Sequence, residues 1–298
     1  MTGFVDIELL LTLIVGGAVG FLSGVFGFGG GFLIVPVLNI SLGLPMQIAV
    51  GSAACQVLGP ATTSVLARRR SWDELRLPLI VFGGLSLGVY LGAEILHKLS
   101  TSTPDANMNV GHLNADRLVL SVYLVLLVIL GGFALWESSR ALKGRPVRTG
   151  WIIGWPVPPL TCLPGMGGQR VSVPVLAWFG FVVGFLSGLL GMSGGLLLLP
   201  GLIYMLGMDW RESVAASMAI VWLVALQSTI AHAWLGHVRL PIVMALLVGG
   251  TLGARLGVHF SRDVAPERGR RSFGWLAMST AGVISVRLVE LMKASGMQ

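Results

Sequence analysis

GFLSGVFGFGGGFLIVP, residues 20–36, returns as GFLSGLLGMSGGLLLLP at residues 184–200. The offset is 164 (184 − 20) without a gap, and ten positions are identical: Gly20, Phe21, Leu22, Ser23, Gly24, Gly27, Gly30, Gly31, Leu33 and Pro36 match their partners. The likeness continues downstream. Gly51-Ser52 stands opposite Ala216-Ser217, Arg76-Leu77-Pro78 opposite Arg239-Leu240-Pro241, and Gly84, Gly88 and Gly92 opposite Gly249, Gly253 and Gly257. Chance matching of small and apolar residues does not keep one order and nearly one spacing across each half. The chain therefore reads as an internal duplication.

The medium of these repeats follows from composition. The chain has 298 residues, 54% hydrophobic and 11% charged, with a mean hydropathy of +0.84. Soluble domains carry about 25% charged residues, and a soluble fold of this size would expose large apolar patches. Lipid is the solvent this composition fits. The 42 glycines suit closely packed and interrupted membrane helices. The net charge of +7 does not point to nucleic acid, because the basic residues lie in short loops between apolar runs and no zinc-finger or aromatic–basic pattern accompanies them. Cys55 and Cys162 give neither a disulfide framework nor a CxxC motif. No metal, haem or nucleotide motif is present, so no cofactor is expected. Asp6 and Glu8, with no Lys or Arg before the first apolar run, argue against a cleaved signal peptide.

Apolar runs predict an all-α integral membrane protein with ten transmembrane or half-spanning segments. They fall near 9–26, 29–43, 46–67, 77–96 and 118–136 in the first half, and near 173–191, 194–207, 213–235, 240–260 and 273–291 in the second. The organisation is a first membrane repeat at 1–137, a cytoplasmic linker at 138–172 and a second repeat at 173–298. The first two segments of each half span fully or form re-entrant hairpins. Each half then crosses five or three times, odd either way, and the second repeat is inverted relative to the first. Clusters at Arg68–70 and Arg76, at Arg140, Lys143, Arg145, Arg148 and Arg170, and at Arg262, Arg268, Arg270 and Arg271 share one side. The positive-inside rule makes that side cytoplasmic and puts both termini outside. Inverted repeats are a hallmark of secondary transporters.

The two Gly-rich segments, the small-Ser step after each, and the paired Arg-Leu-Pro and GxxxGxxxG stretches resemble the sulfite exporter TauE/SafE family over nearly the whole chain, the linker excepted. Met192-Ser193 stands where that family more often has further glycine. The resemblance implies movement of sulfite, organosulfonates or related sulfur-containing anions across the cytoplasmic membrane.

The residues suggest how an anion is held. Clustered glycines break helices, and breaks at membrane depth are tolerated only where the backbone is buried in protein or lines a watery cavity. A helix restarting after a break aims free N–H groups and a positive dipole end at one point. Gly27, Gly29 and Gly30 with Gly191, Ser193 and Gly194 are thus the expected substrate-binding backbone, joined by Ser52, Ser217 and Gln56. The hydroxyls of Ser23 and Ser187 and the amide of Gln227 are further donors. The spaced glycines Gly84/Gly88/Gly92 and Gly249/Gly253/Gly257 are expected only to pack helices. Arg255 is costly inside a membrane and either contacts the anion or pairs structurally, with Glu94 as the candidate neutralising partner. Arg287 and Glu290, three apart on one helix, are expected to pair. His232 is a candidate proton-coupling group, although a lone helical histidine more often only packs.

Two other readings stay open at this level. A passive anion channel would use the same frame. Gly191-Met192-Ser193-Gly194 matches the GxSG pattern of rhomboid proteases, with His232 as a conceivable base. Against it, the twin of Ser193 is Gly29, and nothing in residues 27–31 resembles a second catalytic element. The expected partners are a small anionic substrate and the bilayer, with a homo-oligomer compatible and no nucleic acid.

Overall fold

A computed structural model of the chain describes residues 2–26, 31–66, 76–101, 108–143, 150, 157–162, 170–192, 194–208, 210–261 and 266–296. The first half holds α1 (Thr2–Phe26), α2 (Gly31–Leu42), α3 (Met46–Leu66), α4 (Arg76–Thr101) and α5 (Met108–Leu142). The second holds α6 (Val173–Leu190), α7 (Gly195–Pro200) running into a π-helical turn (Gly201–Met205), α8 (Trp210–Trp234), α9 (Leu240–Ser261) and α10 (Pro266–Gly296). All ten expected segments are helical. In the linker, β1 (Leu160–Cys162) pairs antiparallel with β2 (Arg170–Ser172), Leu160 opposite Ser172.

Among the described residues six helices, α4, α5, α6, α8, α9 and α10, are long and apolar enough to cross a membrane. The 12 residues of α2 rise only about 18 Å, well short of a hydrocarbon core of about 30 Å. α7 with its π turn is no longer. Both are half-length pieces. Large apolar side chains cover the outside, among them Leu79, Leu87, Ile129, Trp178, Leu252 and Val286. In water this would be a liability; against lipid tails it costs nothing. The protein is an all-α, multi-pass membrane protein.

With lipid outside as apolar as the interior, helices associate through close packing. The glycine ladders supply it. α9 lies along α1, where a methyl added at Gly249, Gly253 or Gly257 would collide with the carbonyl oxygens of Leu13, Gly17 and Phe21. α4 lies along α6, where Gly84, Gly88 and Gly92 meet the carbonyls of Ala177, Phe181 and Phe185 in the same way. The sets match residue for residue, at offsets of 165 (249 − 84) and 164 (177 − 13). Every step of these seams is small residue against backbone, as their spacing predicts.

Four further pairings tie the halves together: α3 against α8, α5 against α10, α3 against α9 and α4 against α8. The two halves interdigitate and do not stand as separate bodies. The half-length helices end alike. After α2, Gly43 has φ 62° and Leu44 N–H donates to Leu38 O at 3.3 Å; after α7 and its π turn, Gly207 has φ 66° and Met208 N–H donates to Leu202 O at 3.2 Å. This is the glycine-terminated helix cap in which a left-handed residue lets the chain satisfy a last carbonyl. The two caps are again 164 residues apart (207 − 43). Arg287 Nη1 meets Glu290 Oε2 at 3.1 Å on α10, the pair expected from their spacing.

Candidate functional site

The second glycine cluster is a true interruption. α6 stops at Leu190, and Gly191 caps it with φ 67°, donating its N–H to Ser187 O at 2.7 Å. Gly194 has φ 69°, and its carbonyl accepts the N–H groups of Leu197 at 3.0 Å and Leu198 at 2.9 Å to open α7. Both glycines occupy the left-handed region that residues with a Cβ avoid. Tyr123 on α5, fully buried, donates its hydroxyl to Leu190 O at 2.7 Å. It satisfies a carbonyl that the break would otherwise orphan. In the first half, α1 ends at Phe26 and α2 begins at Gly31. Gly27, Gly29, Gly30 and Ser193 lie outside the described residues.

The start of α2 meets this interruption. A methyl on Gly31 would sit 3.0 Å from Gly191 O and 3.2 Å from the Met192 backbone. On its other side Gly191 abuts α3, where its methyl would sit 2.6 Å from Val50 O. The start of α2, the end of α6 and the second turn of α3 therefore converge, backbone close to backbone. One residue along α3, Gly51 packs against the His237 backbone in the α8–α9 connection.

The helices α3, α6 and α8 carry buried polar groups without partners among the described atoms. Ser52 and Gln56, one turn apart on α3, are fully buried; the Ser52 hydroxyl and both amide atoms of Gln56 make no hydrogen bond. The Gln56 side chain lies against Gly250 of α9. Ser187 on α6, one turn before the break, and Ser228 on α8 are equally buried, with unpartnered hydroxyls. An unsatisfied buried polar group costs about 1–3 kcal/mol, so each of these calls for an explanation.

The other expected residues sort as follows. Ser217 is buried but spends its hydroxyl on Val214 O at 3.0 Å. Gln227 donates to Ser86 Oγ at 2.7 Å and keeps an unpartnered amide oxygen. Arg255 is on the exposed face of α9, six residues before its end at Ser261, about 9 Å of helical rise that a long side chain covers to reach the interface. Glu94 pairs with Lys98 at 3.5 Å. An apolar hollow lined by Leu13, Gly17, Phe21, Val248, Leu252 and Leu256 opens outward between α1 and α9 and offers nothing to an anion.

His232 is fully buried with both ring nitrogens engaged: Nε2 lies 2.9 Å from Gly188 O and Nδ1 3.1 Å from His237 Nδ1. Neither nitrogen is left to serve a serine nucleophile. His237 in turn places Nε2 3.1 Å from His97 Nδ1 on α4. Burial, and then the neighbouring His97, lower the His237 pKa from 6.5 to about 4. Of these three histidines the sequence marks only His232. His97 and His237 stand 140 residues apart in the chain, and no local pattern joins them. Tyr123 was equally unmarked, one aromatic in an apolar helix.

A bundle of interlocked membrane-crossing helices, with the start of α2 set against the α6 break and unpartnered polar groups buried on α3, α6 and α8, fits a membrane transporter. The profile of the sulfite exporter TauE/SafE family matches residues 12–284, and the chain belongs to that family. It is similar to the probable membrane transporter protein YunE of Bacillus subtilis (strain 168), 24% identical over 269 residues, covering 86% of this chain and 90% of that protein. A probable membrane transporter protein of Xylella fastidiosa (strain Temecula1) is 25% identical over 278 residues, covering 92% and 94%. The archaeal probable membrane transporter protein MJ0441 of Methanocaldococcus jannaschii is 23% identical over 286 residues, covering 87% and 88%. No solved structure matches significantly.

Proposed function

We propose that the protein is a secondary transporter that moves small sulfur-containing oxyanions, sulfite or an organosulfonate, across the cytoplasmic membrane by alternating access. The observation that carries this reading is the contact of Gly31, at the start of α2, with Gly191 at the α6 break, together with the unpartnered groups of Ser187 on α6 and of Ser52 and Gln56 on α3, the helix that packs against Gly191. Backbone N–H groups of a restarted helix, with hydroxyl and amide donors, suit an oxyanion without placing a full positive charge in the membrane. The sulfur chemistry of the cargo rests on the family alone.

The halves 1–137 and 173–298 act as inverted repeats joined by the cytoplasmic linker 138–172, with both termini outside. Supporting this are the residue-matched glycine seams and the matched caps at Gly43 and Gly207. The two halves exchange conformations by rocking the repeat-derived bundles about the shared junction. Gly27, Gly29, Gly30, Ser193 and Gly194 complete the backbone donor set, and Ser217 releases its hydroxyl from Val214 O in one of the two states. The protein acts as a carrier, not as an enzyme.

The test is thermal-shift and radiotracer exchange on purified, reconstituted protein with sulfite, thiosulfate, sulfate, taurine, sulfoacetate and chloride. Saturable exchange of sulfite or a sulfonate, without large single-channel currents, is the expected result. Chloride conduction in current recordings with no saturable exchange identifies a channel and overturns the carrier reading.

A further inference from the structure

Three imidazoles form one continuous hydrogen-bonded chain. His97 Nδ1 lies 3.1 Å from His237 Nε2, His237 Nδ1 lies 3.1 Å from His232 Nδ1, and His232 Nε2 lies 2.9 Å from Gly188 O. Neighbouring ring centroids are 5.2 Å and 5.4 Å apart. The two contacts use opposite nitrogens of His237, so the rings make a line and do not converge on one point as ligands of a single metal would.

The order of donors follows from one atom. A carbonyl oxygen only accepts, so His232 Nε2 carries the proton directed at Gly188 O. In the neutral ring His232 Nδ1 then accepts, and His237 Nδ1 must donate to it. His237 Nε2 consequently accepts from His97 Nδ1–H. The remaining lone pair, on His97 Nε2, is at the outer end of the line. His97 lies near the end of α4 and is only partly buried, whereas His232 is fully buried. The line thus runs from one end of the bundle to Gly188, three residues before the α6 break.

We propose that His97, His237 and His232 are a proton wire that delivers a proton from one membrane face to the transport junction. A proton from water binds His97 Nε2. The Nδ1 proton of His97 passes to His237 Nε2, and the Nδ1 proton of His237 passes to His232 Nδ1. No atom besides protons moves. The result is neutral His97 and His237 and a His232 imidazolium beside the break, where its charge offsets that of a bound oxyanion. Return of the proton by the reverse steps restores the starting tautomers.

Few other ionisable groups compete. On α4, Glu94 and Lys98 pair with each other. On α3 the titratable side chain is Cys55, and α6 carries none from Val173 to Leu190. On α5, His112, Asp116 and Arg117 are the ionisable residues toward the same end, and Arg117 Nη2 donates to Leu291 O of α10 at 2.7 Å. Arg239 follows His237 by two residues in the α8–α9 connection, and α8 and α9 place Glu212, Arg255 and His259 toward their other ends.

This wire rests on the carrier reading, so its test has one arm that does not. Nitrogen-15 histidine spectra of wild-type protein in nanodiscs at neutral pH should show Nδ1–H on His97 and His237 and Nε2–H on His232. Nε2–H on neutral His237 breaks the line and overturns the proposal, whatever the cargo. The second arm uses proteoliposomes containing a pH-sensitive dye, with labelled sulfite as the probe. In H237Q and H97Q, sulfite-driven proton movement should fall about tenfold or more, as loss of a proton-transfer group does, while sulfite–sulfite exchange stays within about twofold of wild type. Equal loss of both fluxes marks a structural role and overturns the wire, as does unchanged proton movement. A wild type that exchanges no sulfite ends the cargo reading and leaves the tautomers to decide the wire.

Discussion

Gly31, the first residue of α2, lies against the carbonyl of Gly191, the left-handed cap of α6, so closely that a methyl between them would sit 3.0 Å from that oxygen. The start of a first-half helix thereby meets the break of a second-half helix directly, backbone to backbone. Side chains are absent from the contact because both positions are glycine. The junction's geometry, and the tolerance of each glycine, set the first expectations.

Gly191→Ala should be far more damaging than Gly43→Ala. Both residues have positive φ, 67° and 62°, so each alanine meets a left-handed strain of about 1–2 kcal/mol. Around Gly43 a new methyl meets nothing within 4 Å, whereas at Gly191 it lies 2.6 Å from Val50 O, adding about 1–3 kcal/mol of overpacking. Thermal unfolding in detergent ranks the two, and sulfite exchange should survive only in Gly43→Ala.

Gln56→Leu should separate binding from stability. Both amide atoms are buried without partners, so an apolar side chain of similar volume removes a desolvation cost and leaves the melting temperature unchanged or raised. Anion affinity should fall about tenfold, the equivalent of about 1.4 kcal/mol. A parallel loss of stability, or unchanged affinity in a titration with sulfite, would remove Gln56 from the site.

Tyr123→Phe strips one hydroxyl from a fully buried ring and leaves Leu190 O without its 2.7 Å donor. The expected cost is about 1–3 kcal/mol for an orphaned buried carbonyl. Thermal unfolding and proteolysis of the 191–194 stretch would read it.

The matched seams predict matched damage. Gly88→Ala drives a methyl into Phe181 O, and Gly253→Ala drives one into Gly17 O. Each should destabilise by about 1–3 kcal/mol or more, since backbone does not yield as a side chain can. Gly83→Ala, with open space around it, is the control. A large difference between Gly88→Ala and Gly253→Ala in detergent melts would count against equivalent halves.

His237 makes stability depend on pH in one direction. Its folded pKa is held near 4 by burial and by His97, below the value of about 6.5 in an unfolded chain. The contribution is fully present above about pH 6.5 and is lost as pH falls toward 4, because the unfolded state takes up its proton first. H237Q should flatten that part of a melting-temperature profile measured from pH 7.5 to 4.

Much of this was legible in the chain itself because lipid makes sequence patterns literal. With no water to satisfy the backbone, an apolar run has to be a helix, and all ten expected segments are helices. The glycine ladders at 84, 88, 92 and 249, 253, 257 could be read as packing faces because only small residues let helix backbones touch. Breaks at clustered glycines followed from the conformational freedom of glycine, and Gly191 and Gly194 use it. Tertiary structure alone decided which surfaces met: that α9 lies on α1 and α4 on α6, exchanging partners between halves, that Gly31 touches Gly191, and that Arg255 stands on an outward face. It alone joined His97, His237 and His232 into one line, since hydrogen bonds between residues 140 apart leave no periodic trace in a sequence. Local composition fixes what each segment is, through solvent and backbone chemistry. Only the folded chain fixes what each segment faces.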